Sequence, residues 1–507
     1  MKALLMHPDW DFDPKKPPPV QHLNLTQDLA LDVLLGAMAG DDELVLNVSR
    51  AVLLSSLDND TETILHRQQI LRDCLAHPDV ARQLYALAQE TLETRRRGWF
   101  GVFGTYPPAI LHGGLETMRM FTEMLRRLRR IADQYGAQLQ SAGMSRLLSM
   151  LQREFSDDYF ARIERHLEDL KFPRGVLIGA ALGDGNQGVD YVLRPPPAKG
   201  NPLEAWLQRV LHPALTFRIG NRDEAGARAL GALRDRGINL VANAVAQSSD
   251  HILSFFENLR SELAFYVGCL NLADRLLAQA TPICFGEPAA TGARILHFQE
   301  LADATLALSM GRGVVGNTVD ADGKSLVVIT GANQGGKSSF LRAVGLAQLM
   351  MQAGMFVAAE SFAAEVCSGV FTHYRREEDA TMTKGKLDEE LSRMSDIIDA
   401  LTPDAVVLFN ESFAATNERE GAEIARQIVS ALMERRIKVL FVTHQYELAH
   451  GLEGGHANDA LFLRAERRPD GTRTFRLVEG SPQLTSYGED LYREVFAVDG
   501  AEVASVR

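Results

Sequence analysis

The 507-residue sequence is sparing with the residues that staple or anchor a chain, and each scarcity removes a class of protein. It holds four cysteines, Cys74, Cys269, Cys284 and Cys367, none in a CxxC pair or any other metal-ligand spacing. A disulfide framework and a zinc module are excluded, which leaves buried thiols in a reducing compartment. No run of roughly 18 apolar residues occurs, and the start Met1-Lys-Ala-Leu-Leu-Met-His-Pro has no basic segment followed by a long apolar core. Neither a membrane span nor a secretory leader is expected, and the expected location is cytoplasmic. Positive charge is also short: 53 basic against 66 acidic side chains leave a formal net charge of -13. Such a molecule repels a polyanion at long range, although screening over about 8 to 10 Å lets a local basic stripe act on its own. Two stripes qualify, Arg95-Arg96-Arg97 beside Trp99 and Phe100, and Arg119 with Arg126, Arg127, Arg129 and Arg130. Each reads equally as a phosphate-binding patch or as a solvated helix face. Fixed-period repeats and sustained heptads are missing too, so the helical part is expected to be a packed bundle.

The length predicts two or three domains. Residues 1–25, with Asp11-Phe-Asp-Pro-Lys-Lys-Pro-Pro-Pro19, read as an irregular leader. From Thr26 to about Leu170 apolar residues recur at helical spacing, as in Met118, Phe121, Leu125, Leu128 and Ile131. Two short strands, Val176 to Ala180 and Val189 to Leu193, flank a Gly-rich turn, and Arg194 to Pro202 forms a linker. Helices then resume, with Ile252, Phe255, Phe256, Leu259, Leu263, Tyr266, Val267 and Leu270 on one long amphipathic helix that ends at Thr281-Pro282. From about Ala289 the texture changes to β-branched runs alternating with helices: Ser325 to Thr330, Ala405 to Phe409 and Lys438 to Val442. This alternation predicts an α/β domain with a largely parallel sheet.

Three motifs sit at the ends of those strands. Gly331-Ala-Asn-Gln-Gly-Gly-Lys337-Ser338-Ser339 has the form GxxxxGK[ST] between a strand and a helix. Its glycines let backbone N–H groups curl around phosphates, the helix directs its positive end at them, Lys337 adds a point charge, and Ser338 is left for Mg²⁺. Asn410-Glu411 follows the apolar run Ala405 to Phe409, the place where phosphate-loop ATPases manage Mg²⁺ and polarise the attacking water. Glu411 is the expected catalytic, water-orienting residue. The run Val439-Leu-Phe-Val-Thr443 ends in His444, placed to hydrogen-bond the γ-phosphate and sense its loss.

Together with Thr416-Asn-Glu-Arg-Glu-Gly421 and Phe441-Val-Thr-His-Gln-Tyr-Glu-Leu448, these motifs resemble the ATPase domain of the MutS DNA mismatch-repair family, an ABC-type ATPase. Asn333 and the Gly335-Gly336 pair match that family's phosphate loop, and Thr485-Ser-Tyr-Gly488 resembles its closing segment, so the likeness covers about Leu296 to Phe496. Weaker similarity upstream, at Asn59 to Gln69 and at the helix from about Asp250 to Leu277, resembles the family's core and lever helices. The resemblance implies an all-helical core and lever region followed by an α/β ABC-type P-loop ATPase domain. The expected divisions are 1–25 as leader, 26–288 as core and lever with a small insertion near 172–203, and 289–507 as the ATPase domain. It leaves no room for the N-terminal mismatch-reading domain, and a Phe-x-Glu wedge is not found.

Three departures bear on what the resemblance implies. Asn410 replaces the family's aspartate, which removes a negative charge beside the metal and predicts weaker Mg²⁺ binding and slow hydrolysis. Ser412-Phe-Ala-Ala lacks the family's Gly-Arg-Gly. The segment that in the family reaches a partner's γ-phosphate is here Glu377 to Leu391, offering Thr383, Lys384, Gly385 and Lys386. Those residues read either as a trans charge on the partner's nucleotide or as the solvated start of a helix from Leu387 to Leu401. The implied protein is a homodimeric, Mg²⁺-dependent ATPase acting in DNA repair or recombination, with distorted or branched duplex DNA as partner. The alternative is a nucleotide-switched protein-interaction ATPase that does not bind DNA.

Overall fold

The computed structural model describes residues 1–98, 106–173, 175–194, 218–220, 222–376, 385–456, 458–468 and 470–483. Trp99, Phe100, Thr383, Lys384 and Thr485 to Gly488, singled out above, lie outside the described residues. Contacts divide the chain into two units, one made of Met1–Ala3, Arg82–Leu139 and Ser145–Arg260, the other of Leu4–Ala81, Gln140–Met144 and Ser261–Arg507.

The first unit is helical apart from one hairpin. Its helix Pro107–Tyr135 buries Leu111, Leu115, Met118, Phe121, Leu125, Leu128 and Ala132 at the spacing expected of a single apolar face. Phe121 stacks on Phe256 of the helix Glu224–Ala278 at 6.0 Å between centroids. That helix is 55 residues long and starts well before the expected Asp250. The hairpin pairs Ile178–Leu182 with Gly188–Leu193, shifted by up to two residues from the expected strands.

The arginine stripe on Pro107–Tyr135 proves to be internally neutralised. Arg126 meets Glu164 at 2.6 Å, Arg127 meets Glu90 at 2.6 Å, Arg129 meets Asp133 at 2.9 Å and Arg130 meets Glu123 at 3.1 Å. Arg119 pairs with Glu116 and with Glu168. Of the two readings of this stripe, the helix face with its own counter-ions is the one observed.

The second unit is built around a six-stranded sheet in the spatial order Val370–Tyr374, Val406–Asn410, Lys438–Val442, Leu326–Gly331, Ala460–Arg467, Arg473–Glu479. The first five strands are parallel and the last is antiparallel. Their sequences are near-continuous runs of Val, Ile, Leu and Phe, as strands buried on both faces require. Phe409, Phe413 and Phe441 pack on one face with Ala425, Val429 and Leu432 of the helix Glu418–Glu434. On the other side the helix Lys337–Gln352 comes so close that a Cβ on Gly345 would stand 2.7 Å from Leu408 and 2.8 Å from Leu29. A four-stranded sheet of Glu287–Ala289, Ser361–Glu365, Leu296–Leu301 and Asn317–Asp320 lies in the same unit.

The leader has no helix or strand before the helix His22–Asp28, yet it is not loose: Leu5 and Met6 are fully buried. Leu5 N–H donates to Glu262 at 2.6 Å, and Arg67 donates through Nε to the Met6 carbonyl at 2.7 Å. Among the described residues no helix is long and apolar enough to cross a membrane.

Candidate functional site

The three strand-end motifs meet because the parallel ladder continues one residue past each strand. Thr443 N–H donates to the Ile329 carbonyl at 3.0 Å, Glu411 N–H to the Val442 carbonyl at 2.9 Å, and Arg375 N–H to the Asn410 carbonyl at 2.9 Å. The carboxyl ends of four neighbouring strands thus present Gly331, His444, Asn410-Glu411 and Arg375 along one edge of the sheet, where open α/β sheets bind ligands.

The phosphate loop curls between the strand Leu326–Gly331 and the helix Lys337–Gln352. Gly331 at φ 109° and Gly336 at φ 88° occupy backbone regions closed to most side chains. A Cβ on Gly335 would stand 2.7 Å from that of Ala465. Asn333 and Ser339 are half-buried, and Gln334 is exposed and left-handed at φ 59°. Lys337 is buried and donates to the carbonyls of Gly331 and Ala332, each at 2.9 Å. Burial holds its pKa below the ordinary lysine range; Glu411 pulls it up and Arg473 pushes it further down.

Ser338 Oγ donates to Asn410 Oδ1 at 3.0 Å, so the two residues expected to manage Mg²⁺ are in direct contact. Two uncharged oxygens at the mouth of a phosphate loop suit a hard cation that keeps most of its waters. Glu411 lies with its carboxylate 4.0 Å from His444 Nδ1 and 4.0 Å from Arg375 Nη1. Its backbone is left-handed at φ 55°, as is that of Phe413 at φ 61°, a concentration of strain typical of functional turns.

The loop after Glu411 is pinned from three directions. The buried His373 contacts Ser412 Oγ through Nδ1 at 2.7 Å and the Glu390 carbonyl through Nε2 at 3.0 Å, and its ring stacks on Phe413 at 5.2 Å. Burial, reinforced by Arg393, lowers the pKa of His373 to about 4. Gln445 Nε2 donates to the Phe413 carbonyl at 3.3 Å. Asn417 caps the helix Glu418–Glu434 by accepting from Glu420 N–H at 3.0 Å, and a Cβ on Gly421 would stand 2.2 Å from the Phe413 carbonyl oxygen. These contacts supply a structural role for the Thr416 to Gly421 motif, which sequence left without one.

Beside the loop lies an apolar cleft of about 410 Å³, which Leu306, Met310, Val315, Phe340 and Phe475 line together with Gly336 and Ser339. A flat heteroaromatic ring suits such a lining. Of the residues expected to act across a dimer, Gly385 and Lys386 form the N-cap and first residue of the helix Lys386–Ala400. Sequence reasoning missed His373, Arg375 and Arg473. Arg375 was accessible by the strand-end rule that found Glu411 and His444; Arg473 sits on the antiparallel strand, whose register no motif announces.

Two family models match the chain: the MutS2 N-terminal domain over residues 59–279 and MutS domain V over residues 327–496. Among relatives, the chain is 32% identical to the DNA mismatch repair protein MutS of Porphyromonas gingivalis over 34% of this chain and 20% of that protein. It is 28% identical to the DNA mismatch repair protein MutS of Leptospira interrogans over 49% of this chain and 29% of that protein. With Endonuclease MutS2 of Streptococcus uberis it shares 32% identity over 32% of this chain and 21% of that protein. The chain therefore spans between about a fifth and three tenths of the length of these relatives. The domain V match contains all three strand-end motifs, the N-terminal match contains the helices upstream of them, and on this ground the chain belongs to the MutS family.

Proposed function

We propose that this chain is a Mg²⁺-dependent ATPase that acts on DNA in repair or recombination. The observation that carries the reading is the Ser338–Asn410 contact at 3.0 Å, flanked on the same sheet edge by Lys337, Glu411 and His444. ATP would place its triphosphate on Gly331 to Ser339 and its base in the apolar cleft. Ser338 and Asn410 would hold Mg²⁺, which supplies charge neutralisation for the β- and γ-phosphates. Glu411 orients the attacking water, and His444 hydrogen-bonds the γ-phosphate. With Asn410 in place of an acid, turnover is slow. Catalysis in such a site is positioning and electrostatic stabilisation.

The reading extends to a homodimer in which Thr383, Lys384, Gly385 and Lys386 of one subunit meet the nucleotide of the other. In it residues 289–507 are the motor and residues 26–288 the core and lever that transmit its movement to duplex DNA, distorted or branched. The relatives' names, DNA mismatch repair protein MutS and Endonuclease MutS2, support a nucleic-acid role.

Two experiments test this. Because Lys337 provides the buried cation on the loop, Lys337→Ala should abolish ATP binding in equilibrium titration; affinity like that of the unaltered protein would refute the site. DNA binding is checked by mobility shift with mismatched, branched and plain duplexes over a salt series. Phosphate contacts must weaken steeply with salt. A flat response, or no shift on any duplex, would remove DNA as the partner.

A further inference from the structure

Arg473 stands beside the phosphate loop without a counter-ion. It begins the edge strand Arg473–Glu479, which runs along the loop closely enough that the Phe475 carbonyl lies 3.4 Å from where a Cβ on Gly336 would stand. Its Nη1 donates to Gln334 Oε1, the side chain of the loop's exposed residue, at 3.1 Å. Its Nε and Nη2 are buried and have no hydrogen-bond partner among the described residues. Leaving a buried donor unmade costs about 1 to 3 kcal/mol, and more on a charged group.

The same strand shows what a settled arginine looks like. Arg476 grips Glu300 with both Nη atoms, at 2.7 and 3.1 Å. Arg473 has no such acid, and directly opposite it in the antiparallel register is another arginine, Arg467. Like charges facing each other across a strand pair are unfavourable. Arg473 also bears on the buried Lys337, whose ammonium it destabilises. Two cations held at one loop, one with unmet donors, form an arrangement that an incoming polyanion balances.

We propose that Arg473 is a second cation of the phosphate-binding set, held in place by Gln334 and exchanging that contact for the phosphate oxygens of a bound nucleoside triphosphate. The inference rests on the reading of Gly331 to Ser339 as a nucleotide loop and adds a ligand to it from a strand outside the three motifs. Arginine suits this work because its fork of donors meets phosphate oxygens with short, charge-assisted hydrogen bonds.

Calorimetric titration of the full chain with ATP and, separately, with inorganic tripolyphosphate tests it. Arg473→Ala should weaken both ligands by the same factor, about 10- to 100-fold, and Arg473→Lys should recover part of the loss, with circular dichroism verifying that each variant is folded. Unchanged ATP affinity would overturn the proposal, as would a loss confined to ATP, which would place the effect at the nucleoside. Should Arg473→Ala not fold, a normal ATP and tripolyphosphate affinity in Arg473→Gln would overturn it equally. Failure of the unaltered protein to bind either ligand would overturn the nucleotide loop itself, a result distinct from binding that ignores residue 473.

Discussion

Glu262 is a carboxylate buried in the helix Glu224–Ala278, where its two oxygens accept the N–H groups of Leu5 at 2.6 Å and Phe12 at 3.2 Å. Tyr266, one turn on, donates to the Leu5 carbonyl at 2.5 Å. Burial outweighs these hydrogen bonds and raises the Glu262 pKa from 4.5 to about 7. Between those values the native state binds more protons than the unfolded chain, so this group's contribution to stability falls as pH rises and its cost is complete above about pH 7. The total is about 3 kcal/mol. Two buried histidines act in the opposite sense: with pKa values of about 3 for His7 and about 4 for His373, each costs stability as pH falls below 6.5. A comparison with a variant isolates the carboxylate. Relative to the unaltered protein, Glu262→Gln should gain roughly 2 to 3 kcal/mol on going from pH 5 to pH 8, read from denaturant midpoints. A difference that stays constant with pH would show that Glu262 is ionised throughout.

At the scale of elements, the strands and their terminal motifs were legible because burial on both faces writes itself as apolar runs. Lys438–Val442 matches its expected bounds, and Leu326–Gly331 and Val406–Asn410 are each displaced by one residue. Since Ser338, Asn410, Glu411 and His444 hang from strand ends, one correct sheet order was enough to bring them together. The helix Glu224–Ala278 was harder. Its first part exposes Leu230, Leu233 and Leu240, so no buried stripe marks its start, whereas Phe255, Phe256, Leu259 and Leu263 mark the rest. The arginine stripe was visible but its neutralisation was not, because Glu90 and Glu164 belong to other helices. Long-range pairing of this kind depends on packing, which residue spacing does not encode. Arg473 was hidden for the same reason, its place beside Gln334 being set by the register of the Ala460–Arg467 and Arg473–Glu479 pair. The strain at Glu411 and Phe413 was equally silent, since neither is a residue type that announces a left-handed backbone.

At the scale of the whole molecule, the acidic balance of -13 and the neutralised stripe together mean that any DNA contact draws on basic groups other than Arg119, Arg126, Arg127, Arg129 and Arg130. Buried polar networks hold the second unit together far from its sheet edge: Arg67 binds the carbonyls of Met6 and Ala353, and Asn59 binds that of Gln352 at the end of the phosphate-loop helix. A displacement at Lys337 therefore has a packed route along its helix to the segments before residue 81. The central claim remains chemical: the sheet edge hydrolyses ATP with Glu411 orienting the water. Steady-state ATP turnover of Glu411→Gln against the unaltered protein, at saturating MgATP, measures it most directly. The account predicts a fall of about 100-fold or more with ATP still bound, and turnover equal to that of the unaltered protein would contradict it.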